Sequence, residues 1–257
     1  MKLCILVVAA ILFVSQIMAA DNTPWGAEKG GLASRLTSVT EKPAVGRPLR
    51  LKLEIKNRGS APAKYDDQQA AVNGSLIITG PDGAKVPFIG GTFQTFGAPT
   101  TLKPGESKTI FEKLDIAEQY LIEVPGQYRI QARGGSGVPE SNVLTVAIGP
   151  GTPSDFQKLL GSLRKVMPAG WRVSNYSGSI VFLHSPTGLK ADTASITLFF
   201  AKDPIGGIKP QPGQPSAINL GETNLGRAWL SAESQTAVDR WPDYAKVIGD
   251  QVRAMKK

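Results

Sequence analysis

Apolar and charged residues alternate strictly from Leu49 to Lys56, in the order Leu-Arg-Leu-Lys-Leu-Glu-Ile-Lys. Side chains along a strand point alternately to opposite faces, so this pattern predicts a strand burying Leu49, Leu51, Leu53 and Ile55. Asn57-Arg58-Gly59 then reads as a turn. A second strand is expected over Ser75 to Thr79, running into Gly80-Pro81-Asp82-Gly83, whose proline presets φ and whose last glycine accepts a positive φ. Lys85 to Ile89 is expected to return as the hairpin partner of that strand. Further β runs are read at Lys108 to Phe111, Gln127 to Gln131 and Asn142 to Ile148. Short strands separated by turn signals, with few helical patterns, predict an antiparallel β-sandwich over residues 21–150.

The pattern changes after Gly149-Pro150-Gly151-Thr152-Pro153, which reads as a linker. Thr152 is placed to cap a helix with Pro153 at its first position, and Phe156, Leu159, Leu160 and Leu163 fall on one side of it. Pro168 and Gly170 end that helix. Trp171 to Tyr176 and Ile180 to Leu183 suggest a hairpin, with further strands at Ala194 to Ala201, Ile218 to Gly221 and Gly226 to Ser231. Ile205 to Pro215, rich in proline and glycine, reads as a loop. Val238, Trp241, Ala245, Ile248 and Val252 recur at helical spacing, and Pro242 divides or starts that final helix. Residues 151–257 are therefore expected to form a small α+β domain: helix, antiparallel sheet, helix.

Four short motifs of the first part form an ordered series: Val45-Gly46-Arg47-Pro48, Leu102-Lys103-Pro104-Gly105-Glu106-Ser107, Leu114-Asp115-Ile116-Ala117-Glu118-Gln119-Tyr120, and Pro125-Gly126-Gln127-Tyr128. The series resembles Ig-like or fibronectin-like modules of exported bacterial proteins, and more loosely the BsuPI-type proteinase-inhibitor sandwich. The resemblance implies a mostly β chain that opens with an antiparallel Ig-like β-sandwich, and it implies no particular activity. The whole chain also resembles a class of secreted planctomycete-type proteins, which implies an address. Tyr128, entering a core strand after Pro-Gly, is expected to set its hydroxyl against nearby backbone as in a tyrosine corner.

The first 20 residues change the picture of where the chain works. Met1-Lys2, an apolar run from Leu3 to Val14, and small residues at Ala19-Ala20 follow the three-part plan of a secretory signal peptide. The run is short for a membrane span, which takes about 20 residues. Cleavage after Ala20 gives a secreted or periplasmic protein; a retained N-terminal membrane anchor is the rival reading. No later run approaches membrane-spanning length. Cys4 is the only cysteine, so the mature chain has no disulfide and no Cys-based metal, haem or iron–sulfur site. The full chain carries 29 Lys+Arg against 21 Asp+Glu, a net +8. The signs are interspersed, which favours a solvated surface over a nucleic-acid reader.

Candidate chemistry is sparse. His184 is the only histidine, so any Ser–His–acid triad or imidazole metal site must use it. It is expected at a strand end in a structural or solvated role, with Asp192 and Asp203 at nearby loop positions. Gly161-Ser162 falls inside a helix rather than at a nucleophile elbow, and Gly134-Gly135-Ser136-Gly137 lacks the lysine and helix of a phosphate loop. No catalytic residue, cofactor or metal is assigned. Trp171, Trp229 and Trp241 are read as packing residues, with carbohydrate stacking as the rival.

Two stretches are unusual for plain strands. Tyr65, Asp66 and Asp67, followed by Gln68-Gln69, set acids and amides beside an aromatic. Phe93, Gln94 and Phe96 lie in a glycine-bounded loop. Together they form a candidate recognition surface, since loops on a rigid sandwich collect binding residues and aromatics supply anchors. In the structural reading, Phe93 and Phe96 cap the core while Asp66 and Asp67 hydrogen-bond a long loop. Function on this basis is a non-enzymatic binding protein of the periplasm or cell envelope, its partner a protein or envelope component. The alternatives are a carboxylate-dependent hydrolase and a proteinase-inhibitor-like module.

Overall fold

The computed structural model describes residues 23–66, 75–90, 99–175, 179–185, 195–200, 218–232 and 241–255. The chain is mostly β, with thirteen strands in antiparallel sheets and two helices among these residues. No described helix is long and apolar enough to cross a membrane.

In the first part, β1 (Leu32–Ser38), β2 (Arg50–Asn57) and β6 (Ser107–Asp115) form one sheet. A second sheet holds β4 (Leu76–Thr79), β7 (Gly126–Ala132) and β8 (Leu144–Ile148), and β3 (Ala63–Tyr65) pairs with β5 (Thr100–Leu102) as a two-stranded ribbon. The alternation in β2 is realised: Leu49, Leu51, Leu53 and Ile55 are all buried. Leu51 and Leu53 meet Ile78, Tyr128, Ile130 and Val146 in one core, so the two three-stranded sheets pack face to face. Polar side chains close the seam between β1 and β8. Asn142 accepts from the Leu36 N–H at 2.7 Å and donates to the Leu36 carbonyl at 3.1 Å, while Ser34 donates to Pro139 O.

The motifs of the first part have structural roles. Lys103-Pro104-Gly105-Glu106 is a tight turn closed by Glu106 N to Lys103 O, with Gly105 at φ +80°. Asp115 accepts from the backbone of Leu49 and Ala117. The Tyr128 hydroxyl donates to Val124 O at 2.6 Å, the corner expected from its sequence position. The hairpin expected over Lys85 to Ile89 stops early. Thr79 bridges Lys85 and Val86 N donates to Ile78 O, but Pro87 has no N–H to continue the ladder. From there the chain turns to pair with Tyr120, and Leu121 N donates to Pro87 O.

The second part opens with α1 (Asp155–Val166). Its N-cap is Ser154, not Thr152: the Ser154 hydroxyl accepts from Gln157 N and the Gln157 side chain accepts from Ser154 N, a reciprocal capping box. Five antiparallel strands follow, β9 (Arg172–Asn175), β10 (Ile180–His184), β11 (Ser195–Phe200), β12 (Ile218–Thr223) and β13 (Gly226–Ala232). They lie in the order β12-β13-β11-β10-β9. The final helix, α2 (Trp241–Arg253), starts beside Pro242, where a missing N–H costs nothing. Leu159, Leu160 and Leu163 of α1 and Ile248 and Val252 of α2 share a core with Val181, Ile196, Leu198 and Leu230 of the sheet.

Residues 149–153 are pinned to the first part. Gly149 N donates to Pro43 O and Val45 N to Gly149 O. Gly46, at φ +75°, passes so close to Thr152 that a Cβ there would lie 1.8 Å from its carbonyl oxygen.

Candidate functional site

Tyr65 closes β3 and Thr100 opens β5, and the two are directly paired. That register has a consequence for the two stretches singled out in the sequence. The chain enters the first just beyond Tyr65 and leaves the second just before Thr100, so both open from one end of the β3–β5 ribbon. Asp67, Phe93, Gln94 and Phe96 lie outside the described residues.

The described residues at this end form a firm base. Tyr65 is 2% exposed, in a small core with Leu32, Ile55, Leu102 and Val138. Its ring is core, so the surface character read from its sequence neighbours does not extend to it. The physical reason is the period of two in β3, which turns Tyr65 inward and Lys64 out to solvent. Asp66 is half-buried, and its N–H donates to Ser136 O at 2.8 Å. Ser136 and Gly137 have φ of +51° and +87° between Gly135 and Val138, which exchange both backbone bonds at 2.9 Å. This is the hairpin turn with two positive φ values, and Ser136 bears the cost of the left-handed region without being glycine. A Cβ on Gly137 would stand 2.9 Å from Lys64 O and from Tyr65 Cα, so glycine there lets the turn close on β3. The glycine-rich run excluded as a phosphate loop therefore buttresses this end of the ribbon. Its turn chemistry was readable in the sequence; its docking on Asp66 was not.

The outer face of the β1–β2–β6 sheet carries the clearest charged array. Glu54 binds Arg35 at 2.9 Å and Lys52 at 3.1 Å, and the Arg35 guanidinium lies 4.8 Å over the Trp25 ring. Burial pushes the Glu54 carboxyl up, but its bonds to Lys52 and Arg35 outweigh that and hold it below its usual value. These charges satisfy one another within the sheet.

His184 ends β10, paired with Ser195 on one side and Arg172 on the other, and its ring stacks on Phe182 at 5.9 Å. Asp192 and Asp203 lie outside the described residues. Trp171 packs against Tyr244 at 5.1 Å beside the second core. Trp229 lies on the opposite face of the sheet from the helices, paired with Phe199, and its indole nitrogen is buried with no hydrogen-bond partner among the described residues. No group of three or more His, Cys, Asp or Glu side chains comes together as a metal site among the described residues.

No protein-family model matches the chain, and no curated protein matches it. Among solved structures, a β-glucosidase from Listeria innocua is similar at 19% identity and a TM-score of 0.28, over 51% of this chain and 18% of that one. The chain thus spans under a fifth of the β-glucosidase's length. Spo0M, a sporulation control protein from Bacillus subtilis, is similar at 8% identity and a TM-score of 0.26, over 88% of this chain and 100% of that one. Neither likeness informs the fold or the activity of this chain.

Proposed function

We propose that the chain is an exported, non-enzymatic binding protein of the periplasm or cell envelope, with its recognition surface at the open end of the β3–β5 ribbon. The observation that carries this reading is the pairing of Tyr65 with Thr100, which sets the roots of two separate candidate stretches side by side. The base beneath them is preorganised by the Ser136–Gly137 turn and the buried Tyr65 ring, and preorganisation lowers the ordering cost of binding. Phe93 and Phe96 are the anchors of this reading, and Asp66, Asp67 and Gln94 are its polar contacts. Kinship with Ig-like modules draws support from two sheets sharing one core and from the Tyr128 corner. Export rests on the signal-like residues 1–20.

The test is affinity capture with tagged chain starting at Asp21, incubated with envelope and exoprotein extract and read by mass spectrometry. A partner held through a moderate-salt wash by the wild type, and lost by the Phe93→Ala/Phe96→Ala double variant, is the expected result. Equal retention by the variant would remove the proposed surface. Retention of nothing by the wild type would remove protein recognition itself.

A further inference from the structure

Residues 87–90 and 119–122 form a short two-stranded ribbon. Phe88 bridges Tyr120, Ile89 N donates to Gln119 O at 2.8 Å, and Leu121 N donates to Pro87 O at 3.0 Å. Alternation along both segments sends their side chains to opposite sides. Phe88, Tyr120 and Ile122 enter the core of the sandwich, where the Phe88 and Tyr120 rings meet edge to face at 5.3 Å. Ile89 and Leu121 enter the other core, among the side chains of α1, α2 and the five-stranded sheet. One ribbon therefore belongs to two hydrophobic cores.

Polar contacts join the same ribbon to the second part. Gly90 bridges Asn175 in parallel, and Asn175 N donates to Ile89 O, so β9 continues into the ribbon. The Asn175 side chain donates to Glu118 O at 3.3 Å, and Gln157 of α1 donates to Ala117 O at 3.1 Å. The backbone pairing of Gly149 with residues 43–45 completes the joint.

We infer that the two parts of the chain form one cooperative folding unit, interlocked by this two-faced ribbon, rather than two domains on a flexible linker. Unfolding either part alone strips one apolar face of the ribbon and orphans the backbone groups joined at Asn175. The loss in one core is thereby transmitted to the other. The inference stands on packing alone and is independent of what the protein binds, although Gly90 is also where the Phe93–Phe96 stretch begins.

The test is hydrogen exchange of the whole chain followed by mass spectrometry, in mild denaturant where core amides exchange through global opening. Leu230→Ala cuts into the second core alone, since Leu230 is fully buried in β13. Its expected effect is exchange at least tenfold faster in β10 and β13, and an equal acceleration in β2 and β7 of the sandwich. Unchanged protection in β2 and β7, while β10 and β13 exchange faster, would overturn the inference. If Leu230→Ala does not fold, Ile196→Val makes the same comparison with a severalfold effect. In an Ile89→Ala/Leu121→Ala background the acceleration should become confined to the second part; its undiminished spread would show that the ribbon is not the coupling element.

Discussion

Replacing Tyr120 by phenylalanine isolates one buried hydroxyl. Tyr120 Oη donates to Leu76 O at 2.9 Å and accepts from Leu76 N at 3.1 Å, so a single side chain satisfies both backbone groups at the start of β4. Phenylalanine keeps the ring and its contact with Phe88 but strands a buried N–H and a buried carbonyl. At about 1–3 kcal/mol for each of the two unsatisfied groups, the loss at pH 7 is about 2–6 kcal/mol. That is a large share of a typical stability of about 5–15 kcal/mol. The pH dependence gives a second, independent signature. Burial pushes the Tyr120 hydroxyl from 10.0 up to about 12, partly offset by the Leu76 N–H and the charge of Arg133. Above pH 10 the unfolded chain gives up this proton while the folded chain keeps it. The stabilisation is therefore complete below pH 10 and is lost as pH rises toward 12, at about 1.4 kcal/mol per pH unit. Urea unfolding of wild type and Tyr120→Phe at pH 7, 9 and 11 should show a gap that is constant up to pH 9 and about 1 kcal/mol narrower at pH 11. A gap below about 0.5 kcal/mol at pH 7 would refute the assigned bonds, and a gap that does not narrow by pH 11 would refute the burial of the hydroxyl.

Tyr128→Phe should cost less, about 1 kcal/mol in the same urea assay, because its hydroxyl serves one carbonyl, on the exposed residue Val124. Asn142→Ala should cost about 2–4 kcal/mol and speed exchange of the Leu36 amide, since both Leu36 backbone groups lose their partner. Gly46→Ala should lower stability by more than about 2 kcal/mol in thermal unfolding, because a Cβ meets Thr152 O at 1.8 Å and φ is +75°. Glu54→Gln should flatten the acid limb of the stability curve. The depressed Glu54 contributes above its usual pKa of 4.5, and that contribution fades as pH falls through its folded value; for an ion pair still partly open to solvent the change stays within about 1 kcal/mol.

Several elements were legible from their residues because one face met water. β2 alternates charged and apolar side chains, and α1 repeats leucine at helical spacing, so period alone identifies them. β1 was not legible. Its Ala33 and Thr37 face away from the sandwich core yet are buried, and the chain before it, with Trp25 over Arg35 and Gly26 N donating to Ser34 O, runs along this strand. A strand covered on both sides loses its polar alternation. The cap of α1 was misplaced for a related reason: Thr152 and Ser154 are both competent N-caps, and the reciprocal bonds between Ser154 and Gln157 decide between them.

By itself the sequence determined the class of the fold, most strand positions, the helix–sheet–helix order of the second part and the tyrosine corner, because each follows from local period or turn chemistry. Tertiary structure decided the rest. The pairing of Tyr65 with Thr100 joins positions 35 residues apart, and no local pattern encodes which strand end meets which. In the ribbon, Phe88-Ile89 and Tyr120-Leu121-Ile122 are apolar without a break, so the residues announce burial on both sides. Hydrophobicity has no address, however, and only packing assigns Phe88 and Tyr120 to one core and Ile89 and Leu121 to the other.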